Sequence, residues 1–213
     1  MVLPLVFKGN GMSCLLIGGG EVARHKMELL LAEGCAVTVI APQIHECIRS
    51  RIGKQKIRWM ERDFCSGDCR GYHLVIAATG RREINREVSE EAQSLGIPVN
   101  VVDDPELCTV LFPAVWRQGS LTISVSTEGA APFMAAAVRD SLVSQGTALL
   151  PWVEAAAEFR ALVRSEISDP SEKNRLYRRF VHAMRSGSEL RLPEGRKLGD
   201  WIAWLDKNER AGA

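Results

Sequence analysis

Short apolar runs and helix-like stretches alternate along the first half of the chain. The runs "SCLLIGG", "AVTVIAP", "YHLVIAAT" and "IPVNVVDD" are almost wholly apolar and rich in Val and Ile, as strands buried on both faces require. A weaker run, "KIRWMERD", suits a position nearer a sheet edge. Helical periodicity spans Glu21 to Glu33, with Val22, Met27, Leu29, Leu30 and Leu31 as apolar positions, then a short stretch around Gln43 to Arg51, then Glu83 to Leu95. Alternating β and α elements of this kind predict a doubly wound α/β domain, a Rossmann-like parallel sheet covered by helices on both faces.

The rhythm then changes. "TVLFPAVWRQGSLTISVSTEGAAP" holds two β-rich runs separated by Arg117-Gln118-Gly119, a hairpin-like signal, and the next helical pattern is "PFMAAAVRDSLVSQ". After Pro151 the pattern is helical and polar: "WVEAAAEFRALVRSEI", "SEKNRLYRRFVHAMRSG" and "LGDWIAWLDKNERA", punctuated by Asp169-Pro170, Gly187 and Pro193-Glu194-Gly195. Three regions are expected: a Rossmann-like domain over 1–111, a β-rich region over 112–146, and a small helical C-terminal domain over 147–213.

Composition narrows the functional classes. The 213 residues are 46% hydrophobic and 25% charged, ordinary for a globular chain, and the net charge of +1 supplies no field for nucleic acid. The start, "MVLPLVFKGNGMSC", lacks the pattern of a secretory signal, and no apolar run has the length of a membrane span, so a cytoplasmic protein is expected. Six scattered cysteines read as reduced thiols. Cys65 and Cys69 in "CSGDC" are spaced one residue too far for a zinc knuckle and lack a second ligand pair, so no metal site is expected.

Candidate chemistry starts at Gly18-Gly19-Gly20-Glu21-Val22-Ala23, a G-x-G-x-x-A turn between a strand and a helix. Gly18 allows the tight turn, Gly20 lets a pyrophosphate approach the backbone, and Ala23 lets the helix pack closely on the sheet. The following strand ends Val39-Ile40-Ala41-Pro42, without the acid that usually grips an adenosine ribose. Arg24, His25 and Lys26 lie inside the first helix, where a reader of a 2′-phosphate does not belong. Pro42 and Gln43 are left to hold the ribose, and NAD is the expected cofactor. Ala77, Ala78 and Thr79 either leave room for a ligand above the carboxyl edge or allow dense packing. "VNVVDDPELCTVLFPA" brings Asn100, Asp103 and Asp104 to that edge, where carboxylates can abstract a proton, coordinate a metal or cap the turn before Pro105.

In order and spacing, the stretch from "LPLVFKGNGMSC" to "AVTVIAP", with "LVIAATGRREIN" and "VNVVDDPELCTVLFPAVWRQGSLTISVSTEGAAP", resembles the precorrin-2 dehydrogenase family. That family includes the dehydrogenase/ferrochelatase module of siroheme synthase. The resemblance covers roughly residues 3 to 145. It implies NAD-dependent oxidation of precorrin-2 to sirohydrochlorin and, in bifunctional members, insertion of ferrous iron. It places Gly18, Gly20, Glu21 and Val22 on the pyrophosphate turn and Pro42 and Gln43 on the adenosine side. Asp103 falls on the family's essential carboxylate, and Ser126 and Thr127 on the connector's Ser/Thr pair. Where some relatives carry Gly-Gly next, this chain has Glu128-Gly129.

Asp103 is expected to act as base, with Thr79 on the cofactor and Asn100, Ser126, Thr127, Arg117 and Arg139 on the substrate. Arg81, Arg82, Arg175, Arg178 and Arg179 are further candidate cations, each equally suited to a solvated helix face. Trp152, Trp201 and Trp204 read as tail core, and His182 as structural. A homodimer is expected because the connector shows no helix to cover it, with Val110, Leu111, Phe112, Leu121, Ile123 and Val125 in the interface. Two other functions compete: an NAD-responsive regulatory module, and a chelatase that has lost NAD use. The intact glycine turn argues against the second.

Overall fold

The computed structural model describes residues 2–54, 56–186, 193 and 197–211; the breaks expected at Gly187, Glu194 and Gly195 lie outside them. The chain divides into two compact units. One is Met1–Phe112 with Thr127–Ala131, the other Pro113–Ser126 with Pro132–Ala213.

In the first unit β1 (Ser13–Ile17), β2 (Ala36–Ile40), β3 (Ile57–Met60), β4 (Leu74–Ala77) and β5 (Val99–Val101) form one parallel sheet in the order β3-β2-β1-β4-β5. The expected α/β fold is present, with the weaker strand β3 at an edge. Alternate residues of the central strands serve two cores. Cys14, Leu16, Val37, Val39 and Ile76 pack with Ala23, Met27 and Leu30 of α1 (Glu21–Ala32). Leu15, Ile17, Val75 and Ala77 pack with Val88 and Ala92 of α3 (Arg82–Ser94). This division is why the strands are apolar throughout instead of alternating.

Helix ends follow local chemistry. After α1 the chain turns through Gly34 at φ 81°, and the Gly34 and Cys35 amides donate to the Leu31 and Leu30 carbonyls, a left-handed cap suited to glycine. The next helix, α2 (Glu46–Arg49), is shorter than the expected stretch from Gln43. Residues 43–45 are engaged elsewhere: the His45 amide donates to the Gly19 carbonyl at 2.7 Å, while the His45 imidazole accepts from the Cys47 amide.

At the other sheet edge, β5 is closed by side chains. Thr109 Oγ1 accepts from the Val99 amide at 2.8 Å and Cys108 Sγ from the Val101 amide at 3.1 Å. The Thr109 and Val110 amides donate back to the Val99 carbonyl. These bonds satisfy main-chain groups that an edge strand would otherwise present to another chain.

The second unit begins with the antiparallel hairpin β6 (Ala114–Gln118) and β7 (Leu121–Val125), with Gly119-Ser120 as its turn. One helix, α4 (Pro132–Glu166), follows and runs through Pro151, where a separation into two helical stretches was expected. A proline inside a helix costs roughly 3 kcal/mol. Here the helix buries Trp152, Ala155, Phe159 and Val163 immediately beyond it, and that packing prevails over local propensity.

The α4 helix also overturns the expectation of an uncovered connector. A Cβ on Gly146 would lie 2.7 Å from the Trp116 ring and 2.9 Å from Ile123, so α4 rests against the face carrying Trp116 and Ile123. Leu121 and Val125 alternate with Ile123 on that half-buried face. The apolar groups left outside are others, including Val115, Phe133, Met134 and Val138.

α5 (Pro170–Arg185), capped by Asp169, and α6 (Leu198–Ala211) complete the unit. With α4 they enclose Trp152, Phe159, Phe180 and Trp201, and Phe159 stacks on Phe180 at 5.3 Å. The expected role of the tail tryptophans as core is borne out for Trp152 and Trp201, with Trp204 packed against them. His182 is instead exposed on α5. Among the described residues no helix is long and apolar enough to cross a membrane.

Candidate active site

The parallel strands of the first unit all end at one edge, and the segments that leave them define a cleft of about 500 Å³. Gly18, Gly19 and Gly20 follow β1, Pro42 and Gln43 follow β2, Asp63 and Phe64 lie beyond β3, and Ala78, Thr79, Gly80 and Arg81 follow β4. Ligands of α/β sheets occupy this edge, where the order of the strands reverses.

The three glycines do different work. Gly18 has φ 118°, and a Cβ there would sit 2.3 Å from the Ala78 carbonyl oxygen. A Cβ on Gly19 would sit 2.1 Å from the Gln43 carbonyl oxygen. Both are therefore gripped by neighbouring backbone. A Cβ on Gly20 would meet nothing within 4 Å, and no side chain caps α1, so the first-turn amides face open space at the positive end of the helix. An open approach over Gly20 with uncapped amides fits the pyrophosphate of a dinucleotide.

Of the residues expected to hold cofactor, Gly18, Gly20, Pro42, Gln43 and Thr79 line the cleft. Glu21 and Val22 occupy the first turn of α1 without being among the lining residues. Glu21 is held by Arg24 at 2.5 Å and lies 3.4 Å from His45 Nε2, and the Arg24 guanidinium holds its carboxyl below the usual range. Arg24 also bonds Glu28 at 2.6 Å. The Thr79 loop is fixed by buried Asn85, whose Oδ1 accepts from the Thr79 hydroxyl at 2.7 Å and amide at 3.2 Å.

Asp63 and Phe64 were not anticipated. Asp63 is the one carboxylate among the lining residues, and Arg81, the one lining cation, binds it at 2.5 Å. A carboxylate thus reaches the cleft from beyond β3, not from the end of β2. The signal lies in "WMERDF", polar residues just past a strand's carboxyl end, and is faint because β3 has the weakest strand pattern.

Beyond β5 the two aspartates separate. Asp104 is half-buried and accepts from Arg82 Nε at 2.9 Å, which places it in the structure's own bonding. Asp103 is exposed and adopts φ 60°, a left-handed conformation that aspartate tolerates better than most side chains. Strained residues of this kind concentrate at functional sites. The charge of Asp103 acts on Lys26 of α1, where it helps to hold the ammonium's pKa up. Buried Asn100 donates to the Val110 carbonyl at 3.0 Å and so helps hold the segment that returns along β5.

Thr127, in the first unit, accepts from the Ala131 amide and opens the turn containing Glu128 at φ 55°. Ser126, Arg117 and Arg139 belong to the second unit. Arg117 donates to Thr122 across the hairpin, and Arg139 pairs with Asp140 at 2.6 Å. On α5, Arg175 pairs with Glu172 and Arg179 with Asp206, while Arg178 lines a surface groove with Tyr177, Val181 and His182.

A family described as "Putative NAD(P)-binding" matches residues 5–114, and one described as "Sirohaem biosynthesis protein central" matches residues 118–145. The siroheme synthase of Methylobacillus flagellatus is 39% identical over 172 residues, covering 80% of this chain and 37% of that protein. The siroheme synthase of Methylococcus capsulatus is 38% identical over 182 residues, covering 84% of this chain and 38% of that protein. The chain therefore spans well under half the length of these relatives. A solved structure described as "SirC, precorrin-2 dehydrogenase" superimposes with a TM-score of 0.71 at 22% identity, covering 98% of this chain and all of that one, and shares its fold.

Proposed function

This chain belongs to the family described as putative NAD(P)-binding, and from that premise we propose that it oxidises precorrin-2 to sirohydrochlorin, with NAD as acceptor. The observation that carries the reading is the presence, at one carboxyl edge, of an open glycine turn over Gly20 and an exposed, left-handed carboxylate at Asp103.

The reaction removes one hydride and one proton from the reduced macrocycle and yields the more conjugated product with NADH. When bound, the nicotinamide supplies the hydride acceptor. The chain's part is to hold the pyrophosphate at the first-turn amides of α1 and to seat the adenosine between the segments after β2 and β3. Asp103 takes up the proton. NAD is favoured over NADP because Pro42 and Gln43 offer no cation, and Arg81 is already held by Asp63. Ser126, Thr127, Arg117 and Arg139 are proposed to hold the substrate, each readable as a rise in KM on substitution. Asn100 would act through the segment it holds.

Asp103 also suits a second step, accepting one at a time, and passing to solvent, the protons that pyrrole nitrogens release as ferrous iron enters. Iron is then a substrate. We further propose that the chain acts in the cytoplasm as a homodimer.

Anaerobic incubation with precorrin-2 and NAD, then with ferrous iron, tests these assignments by the absorption of each product. Sirohydrochlorin should form faster with NAD than with NADP. NAD binding without any oxidation of precorrin-2 would instead favour a regulatory module.

A further inference from the structure

One cation of α1 lacks the partners its neighbours have. Arg24 is paired with both Glu21 and Glu28, and Arg51 reaches Glu28 as well. Lys26 instead rests its ammonium 4.2 Å above the centroid of the Phe112 ring. Partial burial pushes its pKa down, while Cys108 and Asp103 act to hold it up. Among the described residues, no carboxylate forms an ion pair with Lys26 and no acceptor lies within hydrogen-bond distance of its Nζ. An ammonium has three N–H donors, and withdrawing them from water without an acceptor is unfavourable. The aromatic face offsets part of that cost but accepts no hydrogen bond in the ordinary sense.

The groups whose charge acts on this ammonium, Asp103 and Cys108, both come from the segment after β5. Asp104 is neutralised by Arg82, and burial pushes the Cys108 thiol up, away from the charged form. The local arrangement is therefore one cation beside one free carboxylate, at the same edge as the glycine turn. A cation so placed suits an acidic ligand whose reacting atoms must come to Asp103 and whose own carboxylates must not be repelled by it.

We propose that Lys26 binds a carboxylate of the macrocyclic substrate and so fixes which part of the ring lies against Asp103. This inference rests on the assignment of precorrin-2 oxidation to the Asp103 site. It makes Lys26 a substrate-binding residue, recognising an acid side chain directly through its ammonium, and distinguishes it from a lysine that merely packs on Phe112.

The test compares wild type with Lys26→Met, which keeps an apolar stem over Phe112, and with Lys26→Arg, which keeps the charge. Loss of one charge-assisted contact should raise KM for precorrin-2 roughly ten- to a hundredfold, with a smaller change in kcat. Lys26→Arg should recover most of that loss, and the Kd for NAD should match wild type in both. Unchanged KM in Lys26→Met, or a fall confined to kcat or to NAD binding, overturns the proposal. Spectroscopic titration with sirohydrochlorin in the absence of NAD requires no turnover and separates the two assignments. If wild type fails to oxidise precorrin-2, the oxidation reading falls, and weaker sirohydrochlorin binding by Lys26→Met than by wild type still supports Lys26, whereas equal or absent binding overturns it. Should Lys26→Met not fold, Lys26→Gln supplies the same comparison.

Discussion

At the scale of single residues, the two aspartates after β5 illustrate how identical side chains in adjacent positions acquire different roles. Asp104 is bound by Arg82, whereas Asp103 is held outward by a left-handed backbone and has no such partner among the described residues. Asp103→Ala should lower precorrin-2 turnover about 10²–10⁴-fold while NAD still binds, because a positioned base contributes on that order. Asp104→Ala should cost less turnover and more stability. Steady-state assays paired with thermal melts check both. The sequence showed that carboxylates reach this edge, since "NVVDDP" follows an apolar strand. It could not show which one stays free, because that depends on Arg82, twenty-two positions earlier on α3. Lys26 was less legible still: its partner Phe112 lies far along the chain, and helical periodicity marks it only as a residue bordering Ala23 and Met27.

At the scale of elements, glycines report where backbones meet. Gly18→Ala should destabilise the first unit by at least ~1 kcal/mol, since it would combine an unfavourable φ with a backbone clash. Gly20→Ala should leave the melting temperature nearly unchanged and weaken NAD instead, because the added methyl would enter open space where the pyrophosphate approaches. Titration calorimetry and thermal melts on the pair separate a structural glycine from a binding one. In the second unit, Gly146→Ala would force a methyl against Trp116 and Ile123 and should cost roughly 1–3 kcal/mol by overpacking, read as a lower denaturant midpoint. The strand and helix pattern of the first unit was readable from apolar periodicity because each strand is buried on both faces. The continuity of α4 was not, since Pro151 is a strong local stop and the burial that overrides it is supplied by α5 and α6.

For the molecule as a whole, the question is which surfaces remain for association. The face of the hairpin bearing Ile123 and Trp116 is taken by α4, so charges at Leu121 or Ile123 would damage the unit itself. Phe133, Met134 and Val138 of α4, with Val115 of β6, remain exposed. We expect a homodimer, with a mass by light scattering of about twice 23.5 kDa. Phe133→Glu with Val138→Glu should give a folded monomer that has lost much of its turnover. A wild-type monomer with full activity would refute this expectation.

The glycine turn has one more consequence. Its shape is imposed from two sides, by the Ala78 carbonyl against Gly18 and by the Gln43 carbonyl against Gly19, with the His45 amide fastened to the Gly19 carbonyl. The loop is thus preorganised: the entropy of ordering it is lost when the sheet folds, leaving little to lose when a dinucleotide arrives. Affinity for the cofactor is in this sense partly stored in the sheet, and any change that loosens the segments after β2 or β4 will be felt as weaker binding without a single ligand contact having been removed.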